Sequence, residues 1–337
     1  MHVLSQATMT QIIFISFITI AVPFSLWLVL LIRFKRGKTR ADRYWNQSQN
    51  WKLKPNNLGT TKTLEILPLI DWYTNKSSLM VEAGVSYLVK TDETAILFDV
   101  GYNSEQRDPS PLLNNMKELE IEIDDFDTIF ISHNHPDHVG GTKYMRRKSF
   151  SLTSHQIELK GKKVYTPVPM SYPNLKPICI EKPTQIAKGI ASIGTIPNQL
   201  FFLGWTMEQS LACHVEGKGI VLVVGCGHQT LPRIIQRTEN AFEAPLFGLV
   251  GGLHYPVSSG RDKVMGIEIE KFVGTGKLPW RPITMDEVEE NIEFLKARNP
   301  KVVALSAHDS CDASLAAFRN TFGDAYREIR VGERIII

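Results

Sequence analysis

Residues 127–142 read DTIFISHNHPDHVGGT, and within them His133, His135, Asp137 and His138 place four metal-competent side chains in six positions. Imidazole and carboxylate suit zinc, iron or manganese. The β-rich run before the cluster puts it on a loop leaving a strand, where closely spaced side chains can turn to one locus that a rigid helix would scatter. Pro136 restricts the turn between the ligand pairs, and Gly140 and Gly141 let the chain turn and approach closely. A lone histidine is more often structural than a ligand. Three of them buried beside an aspartate without a counter-ion are unfavourable, and a bound cation removes that penalty.

This His-x-His-x-Asp-His run after a strand, followed by Gly-Gly, resembles the signature of the metallo-β-lactamase superfamily. The resemblance implies an α/β fold, an αββα sandwich with metals at one edge of two sheets, over most of residues 62–337. Phe98-Asp99-Val100-Gly101 is similar to the strand end that precedes the signature, which implies that Asp99 orients a ligand; read locally it is equally an ordinary Asp-x-Gly turn. Three further elements, Val224-Gly225-Cys226-Gly227-His228, Gly251-Gly252-Leu253-His254 and Ser306-Ala307-His308-Asp309-Ser310-Cys311, resemble in order and spacing the dihydropterin ribofuranosylaminobenzene phosphate synthase-like branch. Gly227 stands where that branch usually has Ser, and Asp309-Ser310-Cys311-Asp312 where it has a Cys-Thr-Gly run. These departures bear on the substrate more than on the metals.

Carried onto this chain, the resemblance implies that His133, His135 and His228 hold one divalent ion and that Asp137, His138 and His308 hold a second, zinc first, with manganese or iron as alternatives. Cys226 stands where many relatives have a bridging Asp; it reads either as a thiolate ligand or as a small buried apolar residue. His254 reads as a substrate-binding or proton-transfer group, or as a turn residue. His155, His214 and His2 are expected outside the site, and Cys179 and Cys213 receive no chemical role. Two metals about 3.5 to 4 Å apart lower the pKa of a bridging water to about 7. The default reaction is then hydrolysis of an ester or phosphoester by a metal-bound hydroxide, with Asp137 as ligand and orienter of the water. The branch implies instead a transferase or synthase acting on a pterin- or phosphoribosyl-type substrate. A non-catalytic scaffold that kept the fold is the remaining reading, and the complete ligand set argues against it.

The elements that must position these residues are legible in outline. LEILPLI, SYLVKT, TAILFDVG and DTIFISH read as strands, with TDET turning one hairpin and EGKG turning another inside SLACHVEGKGIVLVVG. LPRIIQRTENAF and MDEVEENIEFLKARN read as helices, the second with carboxylates in its first turn and Lys296 and Arg298 near its end. The alternation predicts layered sheets covered by helices. Residues 150–200 and 255–285 are more irregular and are expected to shape a pocket or lid.

With 43% hydrophobic and 22% charged residues, the chain is globular in composition, and a net charge of +3 over 337 residues excludes a broad nucleic-acid-binding face. The cysteines show no paired spacing, so neither a zinc finger nor a disulfide framework is expected. Gln11 to Ile32 contains no charged residue, and a helix of that length spans a hydrocarbon core of about 30 Å. Arg33, Lys35, Arg36, Lys38 and Arg40 follow it. The sequence therefore predicts a single-pass N-terminal membrane anchor over 1–40, a linker over 41–61, and a catalytic domain over 62–337 facing the cytoplasm and acting on a small molecule.

Overall fold

The computed structural model describes the backbone except at residues 1–5, 55–57, 259, 260, 262, 265, 266 and 269, and the side chains except at 1–18, 20, 55–57, 259, 260 and 262–270. One sheet holds β1 (Leu64–Ile70), β2 (Ser86–Thr91), β3 (Ala95–Phe98), β4 (Thr128–Phe130), β5 (Lys163–Thr166), β6 (Ile178–Cys179) and β17 (Ile335–Ile336), in the order β17-β1-β2-β3-β4-β5-β6. The second holds β7 (Thr184–Ala187), β8 (Ile190–Ser192), β11 (Leu211–Val215), β12 (Gly219–Val224), β13 (Leu246–Gly251) and β16 (Val302–Leu305), in the order β16-β13-β12-β11-β8-β7. A separate hairpin pairs β9 (Ile196–Leu200) with β10 (Gly204–Glu208), and a small ribbon pairs β14 (Lys263–Val264) with β15 (Ile267–Glu268).

Side chains alternate between the faces of a strand, and here both faces are buried. Tyr87, Val89, Ile96 and Phe98 from the first sheet meet Leu211, Cys213, Val221 and Val223 from the second, forming the core between the sheets. The intervening Leu88, Leu97 and Ile129 turn outward under α2 (Pro111–Glu118), while Leu222, Leu249 and Val303 turn outward under α5 (Leu231–Ala241), α7 (Met285–Lys296) and α8 (Asp312–Phe322). The result is helix, sheet, sheet, helix. Local chemistry starts the helices: Ser110 caps α2 by accepting from the Leu113 N–H, and Thr284 with Glu287 forms a capping box on α7. Val288, Ile292 and Leu295 then supply the buried stripe of α7.

The amino-terminal helix α1 (Gln6–Ser48) differs from the expectation of anchor plus linker. It runs unbroken through the basic run, and its carboxy-terminal half docks on the domain through the buried Ala41 and Trp45. The Arg233 and Arg237 guanidiniums stack 5.5 and 5.4 Å from the Trp45 ring, and Arg237 donates to Ser48 Oγ at 2.9 Å. Residues 41–48 are thus packed helix, and Leu53 and Leu58 are buried beyond them. Among the described residues no helix is long and apolar enough to cross a membrane, so the predicted span Gln11–Ile32, much of it side chains outside the described residues, is unsupported.

Residues 150–200 also differ from expectation. They contain β5 to β9 and bury Val164, Ile190 and Ile196; β5 to β8 join the two sheets and β9 the separate hairpin, and none of these residues lines the pocket at the site. From 255–285, among the described residues, α6 (Glu270–Val273) and Gly274 bring Val273 and Gly274 to the rim of the site.

Candidate metal centre

The catalytic candidates collect at the carboxyl ends of parallel strands, where backbone groups and side chains leaving a sheet converge. β4 runs out through Ser132 to His133, and α3 (Pro136–Val139), N-capped by His135, carries Asp137 and His138 on a single turn. These two therefore sit on a short helix and not on an irregular loop. Gly140 ends that turn at φ 82°, where an added Cβ would run into the Ser151 carbonyl, so the first glycine of the pair is a steric requirement. A second helix, α4 (Thr142–Arg147), follows at once. β12, β13 and β16 end just before Cys226-Gly227-His228, His254 and His308.

The structure brings all seven expected metal-site residues together. One ligand atom from each of His133, His135 and His228 lies within 4.8 Å of the others; so do those of Asp137, His138, Cys226 and His308, and those of Cys226, His228 and His254. Cys226 Sγ lies 3.0 Å from His138 Nε2 and 3.1 Å from His308 Nε2, within the second group, and it also comes within reach of His228. His138 Nε2 is 3.3 Å from Asp137.

Hydrogen bonds on the far side of each ring fix which nitrogen faces inward. His228 Nδ1 is 2.8 Å from the Gly274 carbonyl, which can only accept, so Nδ1 carries the proton and Nε2 presents a lone pair. Ser132 Oγ donates to Asp99 at 2.6 Å and therefore accepts from His133 Nδ1 at 2.9 Å. Ser306 Oγ donates to Asp71 at 2.6 Å and accepts from His308 Nδ1 at 2.7 Å. His138 Nδ1 donates directly to Asp99 at 2.7 Å. The Nε2 lone pairs of His133, His228 and His308 thus face the cluster, and the Nε2 of His138 faces Cys226 and Asp137. The Nε2 atoms of His133 and His228 are buried with no hydrogen-bond partner, a state that a cation relieves. The donor set of imidazole, carboxylate and thiol fits a divalent ion of zinc type.

The electrostatics agree. Burial, reinforced by neighbouring imidazoles, pushes His133, His228 and His308 well below the usual histidine range and His135 down to about 4, so these rings are neutral donors. Burial alone would also lower His138, but Cys226, Asp137 and Asp99 outweigh it and hold its pKa up. Asp137 is held below the ordinary carboxylate range because His138 and His135 overcome its burial. Burial raises the Cys226 thiol, with His138 opposing. A cation at this point favours the thiolate.

Asp99 anchors three atoms at once, accepting from the Ser132 N–H at 2.7 Å as well as from Ser132 Oγ and His138. Asp99→Asn replaces one acceptor oxygen with a donor and frees the His138 ring to turn; metal affinity is expected to fall about 10- to 100-fold, measured by competition with a chromophoric chelator.

Several contributors escaped the sequence reading. Asp71 starts the relay to His308 and also accepts from the Tyr87 hydroxyl at 2.7 Å. The buried Glu208 carboxylate accepts from the backbone N–H groups of Cys226, Gly227 and His228 at 3.0, 2.9 and 2.7 Å. Asp309 accepts from the His254 N–H at 2.9 Å and fixes that residue at φ 54°. Gly227 has φ 67°, and a Cβ there would lie 2.9 Å from Gly252 O and Leu253 Cα, which explains why serine is absent. Gly227→Ser should cost about 2 kcal/mol, from left-handed strain and the forced contact, seen as a lower urea midpoint with unchanged slope. His155, exposed beside Asp108, and His214, bonded to the Gly59 carbonyl, lie outside the centre. Cys179 is exposed and Cys213 is in the sandwich core; His2 falls outside the described residues.

The centre forms the floor of a pocket of about 260 Å³, walled by Ala83, Tyr102, Leu203, Val273 and Gly274. His254 and Asp309 line the same pocket.

Residues 79–163, which carry the His-x-His-x-Asp-His run, match the Metallo-beta-lactamase superfamily. The fold is that of the metallo-β-lactamase superfamily. A crystal structure of a metal-dependent hydrolase of this superfamily superimposes with a TM-score of 0.54 at 19% identity, covering 81% of this chain and 99% of that one. The metallo-β-lactamase fold protein YhfI from Bacillus subtilis does so with a TM-score of 0.50 at 13% identity, over 82% and 100%. In sequence, the chain is 24% identical over 293 residues to the 7,8-dihydropterin-6-methyl-4-(beta-D-ribofuranosyl)-aminobenzene-5'-phosphate synthase of Methanocaldococcus jannaschii, spanning 72% of this chain and 97% of that enzyme. It is also 26% identical over 196 residues to an uncharacterized protein of the same organism, spanning 51% of this chain and 72% of that protein.

Proposed function

We propose that this metallo-β-lactamase-fold chain is a binuclear metallohydrolase, zinc-loaded, that cleaves an ester or phosphoester. The observation that carries the reading is the pair of ligand groups, linked where Cys226 of one approaches His228 of the other, on the floor of an accessible pocket. His133, His135 and His228 would hold one ion and Asp137, His138 and His308 the other, with the Cys226 thiolate facing both. When bound, such a pair lowers the pKa of a water to about 7 and stabilises charge on the attacked oxygen. Asp137, partly open to the pocket, accepts a hydrogen bond from the incoming water and aims it. His254, held against Asp309 and lining the same pocket as Asp137, would bind the leaving group and return a proton to its oxygen.

The test is metal content and turnover of the full-length chain. About two zinc per chain, with hydrolysis of a bis-aryl phosphodiester or an aryl carboxyl ester lost on chelation and restored by zinc, supports the proposal. Absence of tightly bound metal sinks it and leaves the scaffold. The likeness to the pterin-related synthase favours a second reading, transfer onto an aromatic amine or pterin with phosphate or diphosphate leaving. Product carrying the acceptor amine, in place of free alcohol or phosphate, would mark that reaction.

A further inference from the structure

The pocket opens beside an apolar surface that the chemistry of the centre does not use. Every residue from 22 to 29 in α1 is exposed, Phe24 at 62% and Trp27 at 41%. The exposure is on all sides of the helix, not along one stripe. An amphipathic helix laid in a protein groove hides one face; a helix apolar all round needs an apolar medium around it. The surface continues onto the domain: Trp27 packs against Trp280 at 5.1 Å between ring centres, and Trp280 against Phe201 at 5.9 Å. Phe202 and Leu203, at the tip of the β9–β10 hairpin, are 47% and 45% exposed, and Leu203 also walls the catalytic pocket.

Charge gives this surface a direction. Immediately after the apolar half of α1 come Arg33, Lys35, Arg36, Lys38, Arg40 and Arg43, with Asp42 the only acid among residues 33–43. Arg33, at the boundary, donates to the carbonyls of Phe201 and Phe202 at 3.3 and 3.1 Å, so the hairpin tip is pinned at the level where apolar gives way to basic. Lys38 donates to Asn198 at 2.8 Å, and Asn198 donates to the His228 carbonyl at 2.6 Å, tying the helix to the loop of the metal centre. An apolar zone with tryptophans at its edge and a cationic flank is complementary to a bilayer with anionic headgroups.

We propose that this face seats on an anionic lipid surface, with the mouth of the catalytic pocket at headgroup level, and that the substrate is a bilayer-resident phosphoester or ester whose scissile bond lies just below its headgroup. The apolar turns of α1 enter the acyl region beside the hairpin tip, and the seating does not depend on the helix crossing the bilayer. The substrate class rests on the hydrolytic reading above; the seating does not.

The test uses the full-length chain with vesicles of phosphatidylcholine alone or mixed with phosphatidylglycerol, some carrying bromine on the acyl chains, and the double variant Phe202→Asp/Trp280→Asp. Brominated lipid should quench the emission attributable to Trp280, taken as the difference between the wild type and Trp280→Phe, and more strongly with phosphatidylglycerol. The double variant should keep its rate on a soluble bis-aryl phosphodiester and lose at least about tenfold on a fluorogenic phospholipid in vesicles, since withdrawing one such side chain forfeits more than about 1.4 kcal/mol. Unquenched Trp280, or an unchanged vesicle rate in the double variant, overturns the seating; so does a stable dimer that ignores vesicles, since the face then belongs to a second copy. Wild type inactive on both substrates, yet with Trp280 quenched, rejects the hydrolytic reading and its lipid substrate and leaves the seating standing.

Discussion

His228→Ala should lower turnover by more than about 10³-fold and the tightly bound metal from about two to about one per chain. The ring supplies the third donor of the His133 and His135 group, and its Nε2, like that of His133, is buried with no hydrogen-bond partner. In the proposed binuclear site, losing that donor weakens one ion of a pair that would together contribute several kcal/mol to stabilising the transition state, and each 1.4 kcal/mol is a factor of ten. The metal-free protein should change less in stability, because removing the ring leaves the Gly274 carbonyl without its partner but also removes a buried Nε2 that had none. Mass spectrometry of the native protein, turnover on a soluble phosphodiester and urea unfolding with and without zinc give the three readouts. A variant that keeps both ions and its rate would remove His228 from the centre.

Glu208→Gln should have the opposite signature, a stability loss of about 2 to 4 kcal/mol even without metal, accompanied by a 10- to 100-fold loss of metal affinity. Glu208 is fully buried, and burial pushes its carboxyl up to about 7 against the three N–H groups that favour the anion. Those N–H groups belong to consecutive residues, Cys226, Gly227 and His228, so one carboxylate shapes the whole turn that presents two ligands. An amide in its place has one acceptor oxygen and sets an NH₂ against at least one of these donors. The turn then either leaves a donor unpaired or swings the His228 ring off line. Equilibrium urea unfolding of the apoprotein measures the first effect and chelator competition the second. Apoprotein stability equal to wild type would show that the turn does not depend on this carboxylate.

The site residues could be read from the chain wherever chemistry and spacing were local. The His-x-His-x-Asp-His run follows a strand, and Cys226, His228, His254 and His308 each follow an apolar run or a glycine pair that marks a strand end. The residues that orient them could not be read in the same way. Asp71 acts on His308 through Ser306, 235 positions away, and Glu208 sits in an alternating strand where an acid looks like a solvent-facing residue. Nothing in their neighbours signals that each ends up buried among donors.

The fold was legible where strands were long. SYLVKT and GIVLVV alternate between two cores and were readable, whereas β6 has two residues and β8 three, too few for a period to emerge. The docking of α1 was hidden for a related reason. Ala41, Trp45 and Ser48 stand at helical spacing and are buried, but only one of them is large and apolar, so the stripe disappears among arginines and asparagines.

Anomalous diffraction from crystals of the full-length chain grown with zinc tests the central claim most directly. Two anomalous peaks are expected, one within bonding distance of His133, His135 and His228 and one of Asp137, His138 and His308, with Cys226 Sγ beside both. A map with no peak at these side chains, or with zinc only at exposed residues such as His155, would contradict it.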